Sequence, residues 1–269
     1  MNETLHPEMR GVIVATPTPF DADGQVVCDA IGRHLDACLE AGVHGFWING
    51  CTGMGPYLSR EERFRTLEFA EQHIAGRVPM WVHVGAMTTT ESCELAEHAA
   101  THGAVGVSTL PPLFYVTHLE RVVEHMTAIQ AAAELPITYY HVPYVTKLEL
   151  TADQLIEMCQ RVPHVAAIKY SDHNLHKANL IRQALPHVRI MTGMEEELLA
   201  GLALGCLDGT VGASQTFAPG PLVEIYNAYL AGDIARARDV HGQFARLIDI
   251  QEQFDFTAAT YAYLNLLGF

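Results

Sequence analysis

The stretch Val165-Ala166-Ala167-Ile168-Lys169-Tyr170-Ser171-Asp172 is a run of small and branched apolar residues that ends in a lysine and then turns polar. A short apolar run without alternation reads as a strand buried on both faces, the pattern of a parallel sheet covered by helices. Ala166–Tyr170 is therefore a predicted strand. Seven runs of the same kind accompany it: Val12–Ala15, Gly45–Asn49, Met80–Val84, Gly106–Thr109, Ile137–Tyr140, Arg189–Thr192 and Gly209–Val211. Amphipathic stretches separate them. Ser59 with Glu62, Thr117 with Glu120, and Thr151 with Gln154 match the capping box that opens a helix. Leu119, Val122, Val123 and Met126 then form a one-sided apolar stripe at helical spacing.

Eight strand–helix repeats predict an α/β chain closed into a (β/α)8 TIM barrel. An open doubly wound sheet is the alternative, and no GxGxxG follows the first strand to support its dinucleotide-binding form. The barrel is expected over residues 1–220. A short C-terminal helical extension packed on it is expected over 221–269, with helical stretches Pro221–Leu230, Ile234–Gln251 and Thr257–Leu267 and a break at Gly232-Asp233.

The chain has 269 residues, 49% hydrophobic and 17% charged, enough apolar material for one large core. Its 16 basic and 31 acidic residues give a net charge of −15, which argues against nucleic acid or an anionic membrane as partner. A small anionic substrate stays compatible, because a local field can oppose the global one. Six scattered cysteines, none in CxxC, point to a reducing cytoplasm. The acidic N-terminal residues lack the apolar core of a signal peptide, and no apolar run is long enough to span a membrane.

In a barrel of this kind the reacting groups lie at the C-terminal ends of the strands. The second strand ends in Gly50-Cys51-Thr52-Gly53-Met54-Gly55-Pro56-Tyr57-Leu58-Ser59. Such a loop is either a backbone cradle for a carboxylate or an ordinary turn. The fifth ends in Tyr139-Tyr140-His141-Val142-Pro143, where a tyrosine either relays a proton or packs. In the sixth, Lys169 is either a desolvated nucleophile or a rim lysine paired with Asp172. A free lysine is neutral in only about one molecule in a few thousand at pH 7, so desolvation is what would activate it. The seventh ends in Gly193-Met194-Glu195-Glu196-Glu197, acids that suit a helix start or a hydroxylated substrate. The eighth ends in Gly212-Ala213-Ser214, a turn or a second cradle. His98 and His102 stand one helical turn apart without a legible third ligand, so they read as a solvated helix face, and no metal is expected. His83 reads as a hydrogen-bonded core histidine.

Taken in order, these pieces resemble the N-acetylneuraminate lyase / dihydrodipicolinate synthase family of Schiff-base class I aldolases. The matching segments are Ala15-Thr16-Pro17-Thr18-Pro19-Phe20, the Gly50–Ser59 loop, His83-Val84-Gly85, Tyr140-His141-Val142-Pro143, Ile168-Lys169 and Gly193 with its acids. The resemblance spans nearly the whole chain. It implies that Lys169 forms an imine with a 2-keto acid, that Tyr140 shuttles the proton, and that no metal or bound cofactor is needed. It further implies that Cys51 and Thr52 hold the substrate carboxylate, and that Ser171, Gly193, Glu195, Glu196 and Ser214 lie along the substrate tail. The expected assembly is a homotetramer, with Phe114 or Tyr115 reaching a neighbouring subunit's site.

Within that family, Tyr139–Pro143 and Lys169–Asp172 look most like the sialic acid lyases, which implies cleavage of a 2-keto-3-deoxy sugar acid such as N-acetylneuraminate to pyruvate and an aldehyde. Gly53-Met54-Gly55-Pro56 looks like the 2-keto-3-deoxygluconate aldolases, which leaves that activity open. Tyr144-Val145-Thr146 lacks the arginine of dihydrodipicolinate synthases, which disfavours condensation with a second carboxylate. Met54 stands for the usual glutamate, Cys51 for a serine or threonine, and Lys147 for a glycine. These departures, with an end at Gly268-Phe269 short of the usual C-terminal helices, keep a non-catalytic keto-acid-binding paralogue as the reading of another class.

Overall fold

The computed structural model describes residues 9–112 and 117–269. Phe114 and Tyr115 lie outside the described residues. The strands are β1 (Gly11–Ala15), β2 (Gly45–Ile48), β3 (Met80–His83), β4 (Gly106–Thr109), β5 (Ile137–His141), β6 (Val165–Tyr170), β7 (Arg189–Thr192) and β8 (Gly209–Gly212). All pair in parallel in chain order, and β8 returns to β1 through Val12–Thr210 and Ile13–Val211. That closure makes a (β/α)8 TIM barrel and excludes the open sheet.

The helices in chain order are α1 (Cys28–Glu40), α2 (Arg60–Ile74), α3 (Thr89–Thr101), α4 (Leu119–Ala133), α5 (Pro143–Thr146), α6 (Ala152–Arg161), α7 (Leu175–Ala184), α8 (Leu198–Leu204), α9 (Pro219–Leu230), α10 (Ile234–Gln251) and α11 (Phe256–Leu266). Ser59 and Thr151 cap α2 and α6 in full capping boxes, with Glu62 and Gln154 reaching back. The third expected box is absent. His118, extended at φ −137° and ψ 169°, is the N-cap of α4, so that helix starts one residue too late for Thr117 and Glu120 to reciprocate. Of the last three helices, α9 packs against β1 and α8, and α10 packs on α9. Among the described residues no helix is long and apolar enough to cross a membrane.

Side chains alternate between the barrel interior and the layer beneath the helices. Ile13, Ala15, Trp47, Trp81, Ala167, Met191 and Val211 form the inner cluster. Val12, Val14, Phe46, Ile48, Tyr139, Ile168 and Tyr170 belong to the outer one. Period two along β6 therefore sends Lys169 inward with Ala167. Between β5 and β6 the register slips: Ile137 faces Val165, but Thr138 faces Ala167. The skipped Ala166 is a bulge that places Tyr140 opposite Lys169; in continuous register Tyr140 would face the outward Ile168.

Candidate active site

Lys169 enters the barrel from the C-terminal half of β6 and is 3% exposed. Its Nζ lies 4.2 Å from the centre of the Tyr140 ring and 5.1 Å from that of Trp47. Burial among these rings lowers its pKa to about 8, against opposing contributions from Cys51 and Glu195. A lysine at the rim, paired with Asp172, is excluded by two contacts. Asp172 Oδ2 lies 2.6 Å from Lys177 Nζ and 3.5 Å from His141 Nε2, so that carboxylate is committed elsewhere. With its pKa near 8, roughly a tenth of the Lys169 amine is neutral at pH 7, a few hundred times more than for a free lysine.

Alternation also separates the two tyrosines. Tyr139 packs outward, whereas Tyr140 joins Leu110 and Val142 in a small inner cluster. Burial holds the Tyr140 hydroxyl well above the ordinary phenol range, so it is a neutral phenol. The hydroxyl faces Ser171 and the Cys51 thiol. Cys51 is exposed at the open mouth, yet crowding around its sulfur raises the thiol pKa. Beneath this group His83 is fully buried, with Nδ1 3.2 Å from the Ser108 hydroxyl, a hydrogen-bonded core histidine as expected.

The Gly50–Ser59 loop folds tightly. Met54 N–H donates to the Cys51 carbonyl at 2.9 Å and Gly55 N–H to that of Gly50 at 3.0 Å. Those bonds leave the N–H groups of Cys51 and Thr52 outside the loop's own ring, as a carboxylate cradle requires. A Cβ at Gly55 would collide with the Asn49 carbonyl, so the turn admits no side chain there. Met54 occupies the left-handed region at φ 54°. The C-terminal helices reach this loop: the Tyr261 hydroxyl, from α11, donates to the Thr18 carbonyl at 3.0 Å and lies 3.4 Å from that of Thr52. It also accepts from Thr18 N–H at 3.2 Å.

Around the mouth, Ser171 is buried, and a Cβ at Gly193 would fall on its hydroxyl. Gly193 is thus the space that lets Ser171 stand beside Tyr140. Glu195 is buried too; desolvation, reinforced by Glu196, raises its carboxyl to about 7. Its Oε1 accepts from Ser214 N–H at 2.7 Å. Glu196 is half-buried, with its pKa raised by desolvation. The Ser214 hydroxyl also reaches Gln251 of α10 at 3.2 Å, and both its amide and its side chain favour the ionised form of Glu195. Lys147 stands in the left-handed region at φ 56°, a conformation that favours glycine.

Three neighbours are missed by the sequence reading. Trp47 floors the lysine, Tyr144 lies within electrostatic reach of Cys51, Glu195 and Glu196, and Tyr261 ties α11 to the cradle. Trp47 could have been found by applying period two to β2. Tyr261 lies 209 residues from Thr52, and no local pattern announces that contact.

The chain is similar to known proteins over most of its length. The 4-hydroxy-tetrahydrodipicolinate synthase of Salinibacter ruber is 33% identical over 87% of this chain and 78% of its own. The N-acetylneuraminate lyase of Citrobacter koseri is 31% identical over 90% of this chain and 82% of its own. Among solved structures, YagE from E. coli K12, a prophage protein of the dihydrodipicolinic acid synthase family in complex with pyruvate, superposes with a TM-score of 0.91 at 27% identity, covering 97% of this chain and 89% of its own. The model of the dihydrodipicolinate synthetase family matches residues 8–269, and the chain belongs to that family.

Proposed function

We propose that this chain is a Schiff-base lyase, a class I aldolase that cleaves a 2-keto-3-deoxy sugar acid such as N-acetylneuraminate to pyruvate and an aldehyde. The observation that carries the reading is Lys169, a buried amine with its pKa lowered to about 8, ringed by Tyr140 and Trp47. The neutral amine attacks the C2 carbonyl, and loss of water gives an imine. Protonated, that imine withdraws electrons from the C3–C4 bond. As the bond breaks, Tyr140 accepts the C4 hydroxyl proton while its own passes through the Ser171 and Cys51 hydrogen bonds to the bound substrate's carboxylate, which returns it to C3 of the enamine. The aldehyde departs, the enamine gains a proton at C3, and water releases pyruvate from the lysine. The total proton count is unchanged.

Thr52 and the N–H groups at Cys51 and Thr52 hold the carboxylate in this reading. Ser171, Gly193, Glu195, Glu196 and the Ser214 amide line the sugar tail. The imine on Lys169 supplies the electron sink, so the reading calls for no metal or bound cofactor. A homotetramer in the cytoplasm completes it.

The second reading keeps the imine and changes the outcome to condensation, favoured by the 33% identity to the Salinibacter ruber synthase and opposed by Tyr144-Val145-Thr146 at the place of the expected arginine. Met54 favours a 2-keto-3-deoxygluconate-type substrate. A panel separates these: N-acetylneuraminate, 2-keto-3-deoxygluconate, and pyruvate with aspartate semialdehyde, each scored for pyruvate formed or consumed. Pyruvate release from N-acetylneuraminate is the expected result. Release from 2-keto-3-deoxygluconate alone reassigns the tail, and consumption with the semialdehyde reassigns the reaction. Pyruvate binding with no turnover of any substrate supports the non-catalytic paralogue.

A further inference from the structure

His98, in the last turn of α3, and His102, its C-cap, are only partly exposed, because α2 lies against them. Nε2 of His98 is 3.0 Å from Oε1 of Glu68, and Nδ1 of His102 is 2.9 Å from Oε2 of Glu71. The two imidazoles stack with centres 4.2 Å apart at 31°. Phe64 lies flat on His98, at 3.8 Å and 10°. Phe64, His98 and His102 thus form one column of rings with restricted rotation. One ligand atom from each of Glu68, His98 and His102 falls within 4.8 Å of the others.

We propose that Glu68, His98 and His102 form a zinc(II) site that clamps α2 to α3. Zinc takes imidazole nitrogen and carboxylate oxygen at about 2.0–2.2 Å, which in a tetrahedral site separates neighbouring ligand atoms by roughly 3.3–3.5 Å. The 3.0 Å between His98 Nε2 and Glu68 Oε1 opens to that value by a few tenths of an ångström. A histidine in the last turn of α3 and one at its C-cap supply a pair of nitrogens with little loss of freedom, since the ring column already orders them. Glu71 holds Nδ1 of His102 and leaves Nε2 to the metal, the carboxylate–imidazole arrangement that orients metal-bound histidines. Water takes the fourth position. Nδ1 of His98 is buried without a partner and carries that ring's proton when Nε2 takes the metal.

The location assigns a structural or regulatory role. Each helix of a barrel runs back against its strand, so the C-terminal end of α3 lies at the face opposite the strand ends that carry Lys169. Zinc bound there cannot reach the substrate. It acts by joining two outer helices, one of which, α2, directly follows the Gly50–Ser59 loop.

The test uses the full chain, stripped of metal with a chelator and then desalted. Zinc(II) is titrated by calorimetry, thermal unfolding is measured with and without it, and cobalt(II) serves as a spectroscopic probe. The expected result is one equivalent per chain, a higher Tm, and tetrahedral cobalt bands without a thiolate charge-transfer band. His98→Ala and His102→Ala abolish this binding, and Glu71→Gln weakens it about tenfold. Glu68→Gln keeps the size of a half-exposed side chain, so its fold is preserved and its expected loss of affinity isolates the ligand. Absence of saturable binding overturns the proposal. So does full affinity in Glu68→Gln or in both histidine variants, or a thiolate band that moves the metal to a cysteine.

Discussion

Two lysines flank the end of β6 and meet opposite fates. Lys169 is 3% exposed and Lys177, in the first turn of α7, is 8% exposed. Desolvation pushes both ammonium groups toward the neutral form. At Lys177 it is outweighed by Asp172 Oδ2 and Glu149 Oε1, each 2.6 Å from Nζ, and the pKa ends above the ordinary lysine value. At Lys169 the nearest partners are the rings of Tyr140 and Trp47, and Cys51 and Glu195 offset desolvation only in part. The difference shows that burial alone does not lower the pKa of a lysine. The desolvation must be left uncompensated, and in this barrel the carboxylate nearest in sequence, Asp172, is turned to the other lysine.

The sharpest way to break the comparison is to remove each lysine in turn. Lys169→Ala should reduce turnover to background, while Lys177→Ala should keep its nucleophile and remain active. Next in size, Tyr140→Phe should lower kcat by about 10²- to 10⁴-fold while pyruvate still forms an imine, read by steady-state kinetics beside adduct formation. The separation of the two effects distinguishes a proton relay from a packing tyrosine.

Lys177→Met tests the structural lysine. Leaving Asp172 half-buried without its cation should cost about 2–4 kcal/mol, read as a lower denaturation midpoint. Lys177 and the Asn174 amide hold Asp172 below its usual 3.8 despite desolvation. Its contribution is therefore present above about 3.8 and is lost as pH falls through the folded value, so wild type and variant should converge in acid.

A smaller effect concerns pH. Because Lys169 must be neutral to attack, imine formation should rise about tenfold per pH unit below about 8 and level off above it. Glu195 raises the Lys169 pKa, so Glu195→Gln should move that limb to lower pH. The smallest effect is expected for Tyr261→Phe. Losing the hydroxyl that ties α11 to Thr18 and Thr52 should raise KM for the keto acid a few-fold with kcat nearly unchanged, the signature of a loosened cradle.

Much of the fold was legible because each strand is an uninterrupted apolar run: every predicted strand appears, with ends shifted by at most one residue. The caps at Ser59 and Thr151 were equally legible, being local patterns of four residues. Thr117 misled because the pattern does not reveal which residue leaves the helix first. At the site, Lys169, Tyr140 and the glycine loop stand at strand ends, where barrel architecture says to look. Their mutual contact depends on the bulge at Ala166, which the sequence does not mark. The contacts of Tyr261 with Thr52 and of Glu68 with His98 join residues far apart in the chain, and only the folded packing brings them together.

The central claim is that the amine of Lys169 forms the imine. Wild type, Lys169→Ala and Lys177→Ala should each be incubated with pyruvate and borohydride, then measured by intact mass and peptide mapping. The account predicts one reduced pyruvate adduct on Lys169 in wild type and in Lys177→Ala, and none in Lys169→Ala. No adduct on wild type, or an adduct that persists in Lys169→Ala, would contradict it.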